Sequence, residues 1–269
     1  MPEAAPVPLA LLEPQPGITF DEAEHRYSFA SKLGLVHPAS ATQVLTVSGA
    51  KAFDTSYWKR SLERQGLRSH EADAYMDKHR NNRADIGTEL HSLIRAELLG
   101  LPFTPPKNAE PLQLIATWRR FFLPRLQEVL LVEVPLASRW GFYTGTPDLL
   151  ARVDGRLLVI DWKTKASESK AKAEGSWLLQ LAGYAGLIRD QYGLEVDGAL
   201  NLMIWPGGTQ EVFYNRADVQ QAKRRFYGCL RKHHEIRSLQ GCDLHRKALL
   251  HLDQLIATGH LTVDPCTGA

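Results

Sequence analysis

The order of elements in this sequence predicts an α/β fold, a mixed central β-sheet flanked by helices, with helical additions at both ends. Three observations carry that expectation. Apolar residues recur at helical spacing through Ile86, Leu90, Leu93, Ile94 and Leu98. Two apolar, β-rich segments, 144–153 and 156–163, flank Asp154-Gly155, a dipeptide favoured in tight hairpin turns because both positions accept a positive φ. A helical stretch over 174–192 then precedes another strand at 198–205, the alternation that yields a sheet covered by helices.

The elements follow in order. Residues 1–16, with five prolines and scattered acids, read as a flexible leader, and residues 17–269 as one domain with its core at about 84–205. A short strand is expected at 25–29. The pattern from 41 to 100 is mostly helical, clearest over 84–99, and Gly100 and Pro102 stop it. After a Pro-rich connection, 112–126 reads as a helix interrupted near Pro124. Segment 129–136 begins the β-rich part. Beyond the 198–205 strand, Pro206-Gly207-Gly208 turns the chain into a strand at 210–214. Segments 217–238 and 243–257 close the chain as helices.

Bulk composition excludes several classes. At 269 residues and 44% hydrophobic the chain can bury a large core, and no apolar run approaches the roughly 20 residues that span a bilayer. The net charge of +2 means that attraction to a polyanion must come from local patches. Cys229, Cys242 and Cys266 are odd in number and widely spaced, which argues against a disulfide framework and fits a reducing compartment. A cytoplasmic location is the resulting expectation.

The hairpin carries the chemistry. A two-residue turn pairs Val153 with Arg156, and counting outward from there brings Asp148 opposite Asp161. Opposed residues share a sheet face within cross-strand contact distance, so two carboxylates there repel unless a cation bridges them. Hard oxygen ligands suit magnesium or manganese. Lys163, two residues beyond Asp161, returns to the same face, where its ammonium can orient or deprotonate a water and stabilise negative charge. Trp162 points the other way into packing, leaving its carbonyl as an extra metal ligand. Glu133 is a candidate for a second metal or a water, with an ion pair to a neighbour such as Arg152 as the equal alternative.

Pro147-Asp148, twelve intervening residues and Asp161-Trp162-Lys163 together resemble the PD-(D/E)xK nuclease superfamily, which has a restriction-endonuclease-like fold. Gly87-Thr88-Glu89-Leu90-His91 is similar to the GxxxH motif of its RecB-like exonuclease branch, and Gln180-Leu181-Ala182-Gly183-Tyr184 to the QxxxY motif. The resemblance covers about residues 84–205. It implies that His91 gives a nitrogen ligand to the metal, that Asp148 and Asp161 are its carboxylate ligands and that Lys163 is the catalytic lysine. Gln180 and Tyr184, a helical turn apart, are implied to position the phosphate or support the site. Asp161 stands where the superfamily more often has glutamate.

The expected function is therefore a magnesium- or manganese-dependent DNA exonuclease of recombination or repair, with a recombination or single-strand-binding protein as a partner. The alternatives are a structure-specific or restriction-type endonuclease, and a non-catalytic DNA-binding protein of the same fold. Relatives with an iron–sulfur cluster use four cysteines; this chain has three, so no cluster is expected. Lys223, Arg224 and Arg225, in a basic helix interleaved with Phe226 and Tyr227, are the expected DNA contacts, against the plain reading of a solvated basic face. Trp58 joins Phe226 and Tyr227 as a candidate to stack on bases.

Overall fold

The structure, a computed structural model, describes residues 7–266 apart from 22, 25, 32–33, 52–54, 107 and 139–141. Its N-terminal part is a small antiparallel sheet of β1 (Ile18–Asp21), β2 (Arg26–Ser31) and β3 (Gly34–Val36). The strand expected at 25–29 is the middle one, and His25 itself lies outside the described residues. Helices α1 (Ala41–Val47), α2 (Ser56–Arg64) and α3 (Ser69–Leu99) follow. The third begins well before residue 84. Its first turns are polar almost all round and bury only Ala72 and Met76, against Leu62 of α2. Gly100 ends it at φ 63°, and Leu101 N–H donates to the Ala96 carbonyl at 2.8 Å, the left-handed stop expected of a glycine.

Helix α4 (Ala109–Phe121) stops short of the expected 126, because Pro124 allows only a 3-10 turn over Leu123–Arg125 before β4 (Leu126–Val132) starts. The strand expected over 129–136 breaks at Glu133, whose φ of 49° turns the chain out of the sheet. Short strands β5 (Leu136–Ala137) and β6 (Thr144–Gly145) pair with each other, so 144–153 is two strands in two sheets, the second being β7 (Leu149–Val153). Then come β8 (Arg156–Thr164), α5 (Gly175–Tyr192), β9 (Gly198–Trp205), β10 (Gly208–Asn215), α6 (Arg216–Leu239) and α7 (Asp243–Ala257).

The central sheet has the order β10-β9-β8-β7-β4. Only β8 and β9 run parallel, linked by α5 as a crossover; the other neighbours are antiparallel. Two cores sandwich it. Leu157 and Val159 face α1, α5 and α6, whereas Leu158, Ile160 and Trp162 face α3 and α4. This period-2 alternation sends Asp161 and Lys163 to the α5 side. Trp162 packs edge-on against Trp118 and Phe122, ring centroids 6.3 and 5.4 Å away, as its expected inward direction requires.

Two expectations about the termini are corrected. Residues 8–12 are not a loose leader but lie along β4: Val129 N–H donates to Pro8 O, and Ala10 and Leu12 donate to the carbonyls of Val129 and Leu130, at 2.9–3.0 Å. Gln15, buried, accepts from Ala137 N–H at 2.7 Å. At the other end, Cys229 of α6 and Cys266 form a disulfide with Cα atoms 4.7 Å apart. The tail returns across α6, with Asp264 N–H on the Arg224 carbonyl at 3.1 Å. Gly228 permits it: a Cβ there would collide with the Asp264 carbonyl oxygen. Spacing along the chain carries no trace of that return. Among the described residues no helix is long and apolar enough to cross a membrane.

Candidate active site

The β7–β8 turn has Asp154 at φ 48° and Gly155 at φ 78°, the double positive φ of a type I′ hairpin. Its register is the expected one, from Val153 opposite Arg156 to Leu149 opposite Ile160. Asp148 falls one residue before β7, and its side chain takes over where the backbone ladder stops: Oδ2 accepts the Trp162 N–H at 2.7 Å. N–H and C=O of one strand residue project to the same side, so the Trp162 carbonyl faces the Asp148 edge as well.

Both carboxylates are buried, Asp148 at 8% and Asp161 at 3% exposure. Asp161 Oδ2 accepts from Lys163 Nζ at 2.6 Å and from Asn201 Nδ2 at 3.0 Å. Asn201 escaped the sequence reading. Its position opposite Asp161 on parallel β9 is a matter of register that no local motif announces.

His91 reaches the pair from α3. Gly87, one turn earlier, brings that helix close to Thr164 at the end of β8. The His91 Nδ1 lies 3.1 Å from Glu133 Oε1 and 3.5 Å from Asp148 Oδ1. Glu133 is aimed there by the positive-φ turn that ends β4. Of its two expected roles, the pairing with a neighbour is present, but the neighbour is His91 and not Arg152, which binds Glu128 at 3.1 Å.

The charges are mutually dependent. Burial, with repulsion from Asp161, pushes Asp148 up to about 7 against the pull of His91 and Lys163. Burial opposes the charge on His91, but Asp148 and Glu133 overcome it and raise the ring to about 9. Lys163 behaves alike: burial is outweighed by Asp161 and Asp148, and its pKa rises. A lysine so held stays protonated, which favours orienting water and stabilising charge over abstracting a proton.

On α5, Gln180 Nε2 donates to the Tyr184 hydroxyl at 2.8 Å, and Tyr184 is buried beside Gly145. A Cβ at residue 145 would lie 2.6 Å from Tyr184 Cε1. Gly145→Ala is therefore expected to displace the tyrosine and cost about 1–3 kcal/mol, the usual range for overpacking. Thermal unfolding would show it; an unchanged Tm would mean that the ring yields freely.

Beside these groups opens a cleft of about 720 Å³ lined by Lys51, Arg83, Lys165, Glu174 and Trp177 in addition to His91, Glu133 and Lys163. Trp177 lies under both lysines of β8 and its exit, 5.7 Å from Lys163 Nζ and 4.8 Å from Lys165 Nζ. Burial and the nearby Lys163 lower the pKa of Lys51; burial lowers that of Lys165. These cations were not singled out in the sequence, although Lys165 stands two residues past Lys163.

The expected DNA contacts on α6 are not brought to this cleft. Lys223 is buried at 7% exposure, so its reading as a phosphate contact is corrected; Arg224 is exposed and paired with Asp264 at 3.4 Å, and Arg225 is half-buried. Phe226 is fully buried against Tyr143, Tyr227 is half-buried near it, and Trp58 packs edge-on against His79. The aromatic residues alternate with cations because one face of α6 packs on α5.

Fold and site together define an α/β protein whose buried oxygen ligands suit a hard divalent cation next to a fixed ammonium. The model of the PD-(D/E)XK nuclease superfamily matches residues 45–258, and the chain belongs to that superfamily, whose members are generally metal-dependent nucleases acting on DNA. No curated protein matches the chain. Among solved structures, the crystal structure of SSO0001 is similar over 43% of this chain at 20% identity and a TM-score of 0.26. The chain spans 55% of that relative's length.

Proposed function

We propose that the chain is a magnesium- or manganese-dependent DNA exonuclease of the RecB-like branch, working in recombination or repair. The observation that supports this reading is the convergence of three separated motifs. His91 of α3 touches Asp148, Asp148 and Asp161 share one buried face with Lys163, and the bonded Gln180–Tyr184 pair stands on the helix covering that face.

A divalent ion held by Asp148, Asp161, His91 and the Trp162 carbonyl would neutralise the scissile phosphate and acidify a bound water. The protein's own groups do the rest. Lys163 orients the attacking water and meets the negative charge that develops on the phosphate. Lys51, Arg83 and Lys165 hold neighbouring phosphates, in place of the cations of α6. Gln180 and Tyr184 fix the strand relative to the carboxylates, and Trp162 keeps the opposite face dry.

The test of the end preference is a covalently closed circle of single-stranded DNA beside its linear form. Degradation of the linear strand alone is expected; equal attack on the circle makes the enzyme an endonuclease.

Metal affinity is expected to depend on pH in two stages. A cation must displace the proton of Asp148, with a pKa of about 7, and that of His91, at about 9. Affinity therefore climbs most steeply below about pH 7, where both protons are displaced, and more gently up to about pH 9. Calorimetric titrations at several pH values read this directly. A plateau from about pH 7 upward would remove His91 from the ligand set.

A further inference from the structure

A second cluster of metal-ligating side chains lies away from the carboxylates, where α6 hands over to α7. His233 and His234 sit near the end of α6 and His245 in the first turn of α7. One ring nitrogen from each lies within 4.8 Å of the others. The Nδ1 atoms of His234 and His245 are 2.7 Å apart. His233 is 1% exposed, and neither of its ring nitrogens has a hydrogen-bond partner among the described residues. A buried imidazole with both nitrogens unanswered is costly and calls for a ligand. Phe142 walls the cluster on one side, its ring centroid 6.0 Å from that of His234. On the other side a cavity of about 660 Å³ opens, lined by His233, His245 and the thiol-bearing Cys242.

We propose that His233, His234 and His245 form a binding site for a borderline divalent transition-metal ion, zinc in the first place, separate from the carboxylate centre. Imidazole suits zinc and its neighbours, whereas magnesium and manganese prefer oxygen. Burial and the adjoining rings also keep His233 and His234 neutral at pH 7, with pKa values of about 4 and about 3. The geometry needs only small shifts. Zn–N bonds of about 2.0–2.1 Å at tetrahedral angles set nitrogens roughly 3.3 Å apart, so the closest pair opens slightly and the widest closes. The fourth position is left to water from the cavity. Such an ion would tie α7 to α6 across the turn at Gly241.

The test uses full-length protein carrying Asp148→Asn and Asp161→Asn, which disables the carboxylate centre. Metal-free protein is titrated with Zn(II) by calorimetry and with Co(II) by visible absorption. A single zinc equivalent is expected, with intense tetrahedral cobalt bands, a higher Tm on zinc loading and no displacement by excess magnesium. Adding His245→Gln, a half-buried site on a surface helix, should weaken zinc at least roughly tenfold, the lower end of what losing even an outer-shell support costs. Circular dichroism shows whether that variant retains its fold. Absence of stoichiometric zinc in the carboxylate-disabled protein overturns the proposal, as does undiminished binding in the folded His245→Gln variant.

Discussion

Lys163→Ala is expected to lower turnover by about 10²–10⁴-fold, the range lost with a positioned acid–base or water-orienting group. The ammonium is bonded to Asp161 and flanked by Trp177, so its place is fixed before substrate arrives. Metal binding should survive, because the lysine competes with the cation for the same Asp161 oxygen. DNA binding should persist through Lys51, Arg83 and Lys165. Lys163→Arg should rescue little, since a planar guanidinium cannot occupy the point-charge position of an ammonium. Single-turnover cleavage with saturating metal, beside a DNA-binding titration, separates these effects. Near wild-type cleavage by Lys163→Ala would remove the lysine from the reaction.

Asp148→Asn is expected to fail differently. The amide oxygen can still accept the Trp162 N–H, so the strand end keeps its shape. The negative charge facing His91 and the cation is gone, and metal affinity should fall by at least about 10–100-fold, with turnover falling alongside. Stability supplies the control. A carboxyl raised to about 7 is destabilised in its charged form, so this contribution to folding is fully present below the ordinary carboxylate range and lost as pH rises through about 7. At about pH 8 without metal, Asp148→Asn should therefore unfold at no lower temperature than the parent. A large drop in Tm would show that the aspartate serves the fold and not the ion.

Local signals were the legible part of this molecule. The Asp154-Gly155 turn set the hairpin register, and with it the shared face of Asp148, Asp161 and Lys163. Gly100 placed the end of α3, and the order of strands around α5 gave the mixed sheet. What escaped depends on contacts between distant segments. Asn201 meets Asp161 only because β8 and β9 are parallel and in a particular register. Glu133 reaches His91 because a strand breaks at a left-handed residue, which nothing in its sequence demands. Lys223 in the basic stripe of α6 is a further case. Charge at a position is visible in a sequence, but whether Lys223 looks into solvent or into a neighbouring helix is decided by packing.

The segment that runs along β4 has a consequence for association between molecules. A strand at the border of a sheet offers unpaired donors and acceptors to any extended chain, including another copy of itself. Pro8, Ala10 and Leu12 use those of Val129 and Leu130, and Leu9 bridges Val129 in parallel register. They act as a guard rail on an otherwise adhesive border. Trimming the chain back to residue 16 would leave the carboxylate centre in place and uncover that border, making the molecule more prone to stick to its own kind.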